Sequence, residues 1–153
     1  MTATPAIPVP EPEAPWTCSA PRRSETGLSL VMDRPGLDPI PVRLQRCADS
    51  RLALAYPVTA HDIDVLVEAA LPPRVRTALL GALGPAILRA DPGCRRIVVA
   101  VAADDHEALA AVVDAGLRPT VEVDLPEGEF VLTVAEPTWV TAVDIDLDHV
   151  PGT

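Results

Sequence analysis

The segment from Cys94 to Leu117, CRRIVVAVAADDHEALAAVVDAGL, constrains the fold of this chain more than any other stretch. Ile97 to Ala102 is a β-branched run of strand length. Asp104 and Asp105 follow, and a carboxylate there can accept from the free N–H groups of a first helical turn. Ala108, Leu109, Val112 and Val113 share one face at helical spacing, and Gly116 supplies the positive φ that ends such a helix. Two further strands, 121–125 and 130–134, flank Pro126-Glu-Gly-Glu. The spacing predicts strand, helix, then hairpin.

Around that unit, 153 residues leave room for one domain, and the core must be aliphatic because aromatics make up only 3%. A net charge of −10 argues against nucleic acid and anionic membrane surfaces, which demand a basic face. All 12 basic residues are arginine, so no lysine chemistry is available. Cys18, Cys47 and Cys94 are odd in number and widely spaced, which fits reduced thiols and a cytoplasmic protein. No apolar run approaches the length of a membrane span, and no charged n-region with an apolar stretch opens the chain.

Residues 1–26 carry six prolines and little periodicity, and read as a disordered or extended arm. Trp16 is the one anchor in it, for its own domain or for a partner. The main domain is expected over 27–137. Strands are expected at 28–32, 40–46, 51–57 and 63–70, the last three as an antiparallel meander. Val75, Leu79, Leu83 and Ile87 mark a helix over 73–90, with Pro73 at its start and Pro85 kinking or splitting it near Gly84. A C-terminal strand or tail closes the chain over 138–153. Its Asp144, Asp146 and Asp148 open like a calcium loop, but His149 stands at the required glycine, and a charged edge strand explains them better. The expected architecture is α/β, a mixed sheet flanked by helices.

This order of elements and its local residues resemble the GNAT superfamily of acyl-CoA-dependent N-acyltransferases over roughly 40–134. Members commonly carry Asn-x-x-Ala-x-x-x-Tyr-x-x-x-Gly-Phe after the strand matching residues 96–102. The same spacing here reads Asp105, Ala108, Val112, Gly116 and Leu117. The strings Ala90-Asp-Pro-Gly-Cys-Arg-Arg-Ile-Val-Val and Glu122-Val-Asp-Leu-Pro are most similar to the siderophore-type acyltransferases. The resemblance implies a GNAT-like sheet that lacks the usual N-terminal helices. It also implies acetyl-CoA or another acyl-CoA as donor and a small-molecule amine as acceptor.

The resemblance places acyl-CoA contacts at Val65 and Val67 and at Arg74, Val75, Arg76 and Thr77, with Asp105 beyond. The family's phosphate loop, Gln/Arg-x-x-Gly-x-Gly/Ala, lets backbone N–H groups touch a pyrophosphate at a helix N-terminus. Here Leu71-Pro-Pro-Arg-Val-Arg stands in that place, so both glycines are arginines and Pro73 lacks a donor. Arg74 and Arg76 can grip phosphate only through their guanidinium groups. The catalytic tyrosine is Val112, a loss that siderophore-type members also show. Glu68 and Asp64, four apart and on one face of the expected strand, are the candidate general bases. Capping alone accounts for Asp105, and burial accounts for Cys94. No serine elbow, metal cluster or nucleophilic triad is legible.

Two functions therefore stay open. One is acyl transfer from coenzyme A to a small amine. The other is a catalytically inactive GNAT-like pseudoenzyme that binds a protein partner, or forms a homodimer, through the apolar sheet face its missing helices leave bare.

Overall fold

The computed structural model describes residues 5–25, 27–55, 57–67 and 69–137. Glu68 and the C-terminal segment from 138 onward lie outside them. Seven strands form one sheet: β1 (Thr17–Arg23), β2 (Gly27–Asp33), β3 (Ile40–Arg46), β4 (Ile63–Leu66), β5 (Ile97–Ala102), β6 (Arg118–Leu125) and β7 (Gly128–Ala135). Among the described residues two α-helices accompany it, α1 (Pro73–Ala90) and α2 (His106–Asp114). The strand order is β1-β2-β3-β4-β5-β7-β6. β4 and β5 are parallel, because α1 carries the chain back to the edge where β4 began. The other neighbours are antiparallel.

Alternation along the strands divides the core between the two faces of the sheet. Leu28, Leu30, Met32, Val42, Leu44, Ile63, Val65, Ile97 and Val99 point to the helix side, where they meet Leu79, Leu83, Ile87 and Val112. Val98, Leu132, Val134 and Leu125 form a smaller cluster on the back face. Thr77 Oγ1 donates to Ala111 O at 2.8 Å, tying α1 to α2. α1 runs unbroken through Pro85. The expected split near Gly84 does not occur, and Pro85 and Gly81, whose carbonyl it cannot reach, lie on the exposed side of the helix.

The arm also departs from expectation. β1 falls inside the segment read as a disordered or extended arm and pairs with β2 at the edge of the sheet. An edge strand tolerates Pro21, and a register shift between Ser19 and Arg22, with Ala20 at φ 52°, absorbs the misfit. Residues before β1 are held by arginines. Arg46 donates to Pro5 O at 2.8 Å and Ala6 O at 3.0 Å, and Arg23 donates to Ile7 O at 2.7 Å. Ile7 and Trp16 are buried in the same cluster as Leu28, Leu30 and Met32. Among the described residues no α-helix precedes α1, so the arm covers part of the face expected to lie bare.

Residues 51–55 are turns, not the expected strand. Arg46 already pairs with Ile63, so β3 hands directly to β4 and no slot remains between them. A 3-10 turn at Cys47–Asp49 opens the connection. Leu52 is fully buried and Leu54 fully exposed, whereas residues two apart on a strand would share one face. β4 also stops at Leu66, short of the expected residue 70.

Candidate active site

The centre of the sheet is a V. Ile63 is in register with Ile97 and Asp64 with Val98, and the parallel ladder ends there. Val65 and Leu66 continue only against β3, while β5 runs on to Ala102 against β7. The closed end is clamped by Ile63 N donating to Arg96 O at 3.0 Å and by the 2.8 Å pair of Arg96 with Asp62. Among the described residues, no strand partners the β4-facing edge of β5 beyond Val98. Ligands of open parallel sheets bind at such carboxyl ends, where the N-termini of the connecting helices converge.

α1 and α2 both begin at that open end. A cavity of about 170 Å³ lies between them, lined by Leu71, Pro73, Arg76, Asp105, Glu107 and Ala108. A groove of about 390 Å³ continues along the helices past Arg74, Thr77 and Asp114. A wider groove of about 870 Å³ sits at the other end of the helices, around Leu88, Cys94 and Leu117, and contains none of the candidate residues.

The candidate donor-binding residues fare differently. Val65 is buried in the core, and Val67 and Val75 pack against it. Arg74 is exposed and Arg76 half-buried, both at the mouth. Thr77 uses its hydroxyl on Ala111. Asp105 caps α2, accepting from Ala108 N at 3.1 Å. Pro73 has no N–H, and those of Val75 and Arg76 both go to Pro72 O at 3.0 Å. The first turn of α1 is thus poor in backbone donors, and a pyrophosphate there would rely on the two guanidinium groups. Val112 is fully buried against the core.

Asp64 stands at the last paired position of the V, on the back face. It is 0% exposed, and neither carboxylate oxygen has a hydrogen-bond partner among the described residues. Burial pushes its carboxyl up to about 6, against the pull of Arg51, the nearby Ser50 hydroxyl and Arg43, while Glu127 adds to the rise. That hydroxyl is turned to Cys47 O at 3.1 Å and satisfies nothing on Asp64. Arg51 crosses the back face to Glu127 at 2.5 Å and lies 5.1 Å over the Phe130 ring.

Sequence reasoning found Asp64 but not Arg51, Glu127 or Phe130. Arg51 and Glu127 are 76 residues apart, and no local pattern joins them. Burial also raises Cys94, to about 12, so it is no nucleophile. Among the described residues no cluster of potential ligands could hold a metal ion, and no helix is long and apolar enough to cross a membrane.

No family model and no curated protein matches the sequence. Solved structures do match. An uncharacterised protein of Bacillus halodurans is 20% identical over 74% of this chain and 61% of its own, with a TM-score of 0.64. The aminoglycoside acetyltransferase AAC(6')-Ib in complex with coenzyme A is 17% identical over 74% of this chain and 68% of its own, with a TM-score of 0.63. The GNAT domain of S. lividans PAT is 20% identical over 73% of this chain and 61% of its own, with a TM-score of 0.50. This chain therefore spans about three fifths to two thirds of those proteins. At such identities the likeness shows the fold: a GNAT-like mixed sheet with reduced helical content.

Proposed function

We propose that this chain, built on the GNAT fold, transfers an acyl group from an acyl-CoA to a small amine. The observation that carries the reading is the parting of β4 and β5 immediately after Asp64 and Val98, at the end where both helices begin. An extended chain such as a pantetheine arm can enter there and bond to the free edge of β5 as an added strand would. Arg74 and Arg76 would hold the pyrophosphate by charge-assisted hydrogen bonds. Structures of a similar fold contain coenzyme A, and some also contain aminoglycosides, which supports a donor and an amine acceptor of these classes.

When bound, the acyl-CoA supplies an activated thioester carbonyl. Asp64 takes a proton from the acceptor ammonium, leaving the free amine that attacks. A carboxyl near 6 is ionised at neutral pH yet closer in proton affinity to its task than an ordinary aspartate. Val112 has no proton to give, so the proton that the attacking nitrogen sheds passes to solvent and the departing thiolate takes one from solvent in turn. Glu68, the other candidate base, follows four residues later in the sequence and lies outside the described residues.

A second reading is a GNAT-like module without catalysis. Pro72 O takes two N–H groups of the first turn of α1, and Asp105 and Glu107 set negative charge beside Arg76, both unfavourable to a phosphate. Calorimetric titration with acetyl-CoA and free coenzyme A decides between the two. Micromolar binding that weakens by about tenfold or more in Arg74→Ala/Arg76→Ala supports the donor site. The absence of heat and of any thermal shift at millimolar ligand would leave the second reading.

A further inference from the structure

We propose that Asp64, Glu127 and Phe130 form a subsite for a cationic head group, guanidinium or primary ammonium, and that Arg51 occupies it in the ligand-free chain. Two carboxylates and an aromatic face are the parts from which cation sites are made, since the ring's negative face and the two anions attract the same charge. Arg51 supplies that charge from within, paired with Glu127 at 2.5 Å and stacked on Phe130 at 5.1 Å.

The fit of this resident cation is incomplete. Arg51 Nε is buried without an acceptor, and both oxygens of Asp64 are buried without a donor. The Arg51 charge acts on Asp64, yet each side keeps polar atoms unsatisfied, and each unsatisfied buried group costs stability. The backbone of the 51–55 turns sets how far Arg51 reaches, whereas a free ligand carries no such tether. Leu52, fully buried next door, anchors the turn, and the proposal requires only that the Arg51 side chain swing aside. That side chain is already one-quarter exposed.

To call the ligand an acceptor rests on the acyl-transfer reading; the cation site itself does not. Its position suits that reading, because a cation held by Asp64 sits at the vertex of the β4–β5 V. Arg51 then acts as a stand-in that the acceptor must displace, and neutral or anionic compounds have no means of doing so.

The test is calorimetry and thermal shift with methylguanidinium, ethylammonium and neutral N-methylurea on the full chain, with no coenzyme A present. Arg51→Ala should bind methylguanidinium saturably, about tenfold or more tighter than the unaltered chain. N-methylurea should not bind. The gain should vanish in Arg51→Ala/Asp64→Asn and shrink in Arg51→Ala/Glu127→Gln. If Arg51→Ala fails to fold, Arg51→Met, which keeps the apolar stem, is titrated in its place. The proposal falls if the Arg51 variant shows no saturable cation binding, if N-methylurea binds equally well, or if Asp64→Asn changes nothing. Titrating the same preparations with coenzyme A separates the two ideas, since cation binding without coenzyme A binding removes only the acyl-transfer reading.

Discussion

Arg46 Nη1 donates to Asp91 Oδ2 at 2.7 Å inside the molecule, and the same guanidinium group reaches His61 O, Pro5 O and Ala6 O. One buried side chain therefore joins β3, the end of α1, the entry to β4 and the N-terminal arm. Removing one member of a buried pair strands the other, at a cost of about 3–5 kcal/mol. Asp91→Ala should lower unfolding stability by that order in urea titration. Arg46→Met should in addition free the arm, seen as proteolytic cleavage before β1 in an otherwise folded protein.

Trp16 tests the arm from its other end. The indole is 5% exposed, packs into the main core and carries Arg34 at 5.3 Å over its ring. Trp16→Ala should cost about 3–5 kcal/mol, the usual loss for a large buried aromatic. A loss below about 0.5 kcal/mol, within the range of surface substitutions, would mean the arm is not part of the core.

Asp64 predicts a pH dependence with a defined sign. Its carboxyl is raised from the ordinary 3.8 to about 6 by burial, opposed by Arg51, Ser50 and Arg43 and reinforced by Glu127. The folded state therefore holds its proton more tightly than the unfolded chain. Its contribution to stability is intact below pH ~4 and declines as pH rises through ~6, by roughly 3 kcal/mol. Asp64→Asn should flatten this component and raise the melting temperature at pH 8. If Asp64 is the base, acyl transfer should be lost in the same variant, so stability and activity move in opposite directions.

Asp105 separates a cap from a ligand contact. Its carboxylate accepts from Ala108 N at 3.1 Å, and Asp105→Ala should cost about 1 kcal/mol. Coenzyme A affinity should be unchanged within about twofold if capping is its whole role. A tenfold change in either direction would place Asp105 at the donor site.

The regular elements were legible where periodicity and punctuation agreed. The β-branched run at Ile97–Ala102, the Asp105 cap and the stripe through Val112 led to β5 and α2 with little error. The stripe from Leu79 to Ile87 likewise marked α1. Alternation misled at 51–57, because Leu52 and Leu54 would share one face of a strand but the turns bury one and expose the other, and only the register of β3 with β4 shows that no strand fits there. Proline content misled at the arm, because an edge strand with a bulge accepts Pro21 where a central strand would not.

The candidate site was legible only in part. Asp64 and the arginine pair at Arg74 and Arg76 can be named from spacing and resemblance. The burial of Asp64 without a partner, and the placing of Arg51, Glu127 and Phe130 around it, cannot. By itself the sequence determined the order of elements from α1 to β7, because hydrogen-bond period, caps and side-chain alternation act over a few residues. Tertiary structure alone decided where β4 and β5 part, what covers the apolar face and which charges meet at Asp64. Those outcomes depend on contacts between residues tens of positions apart, and their energies exist only once the sheet has brought the two ends together.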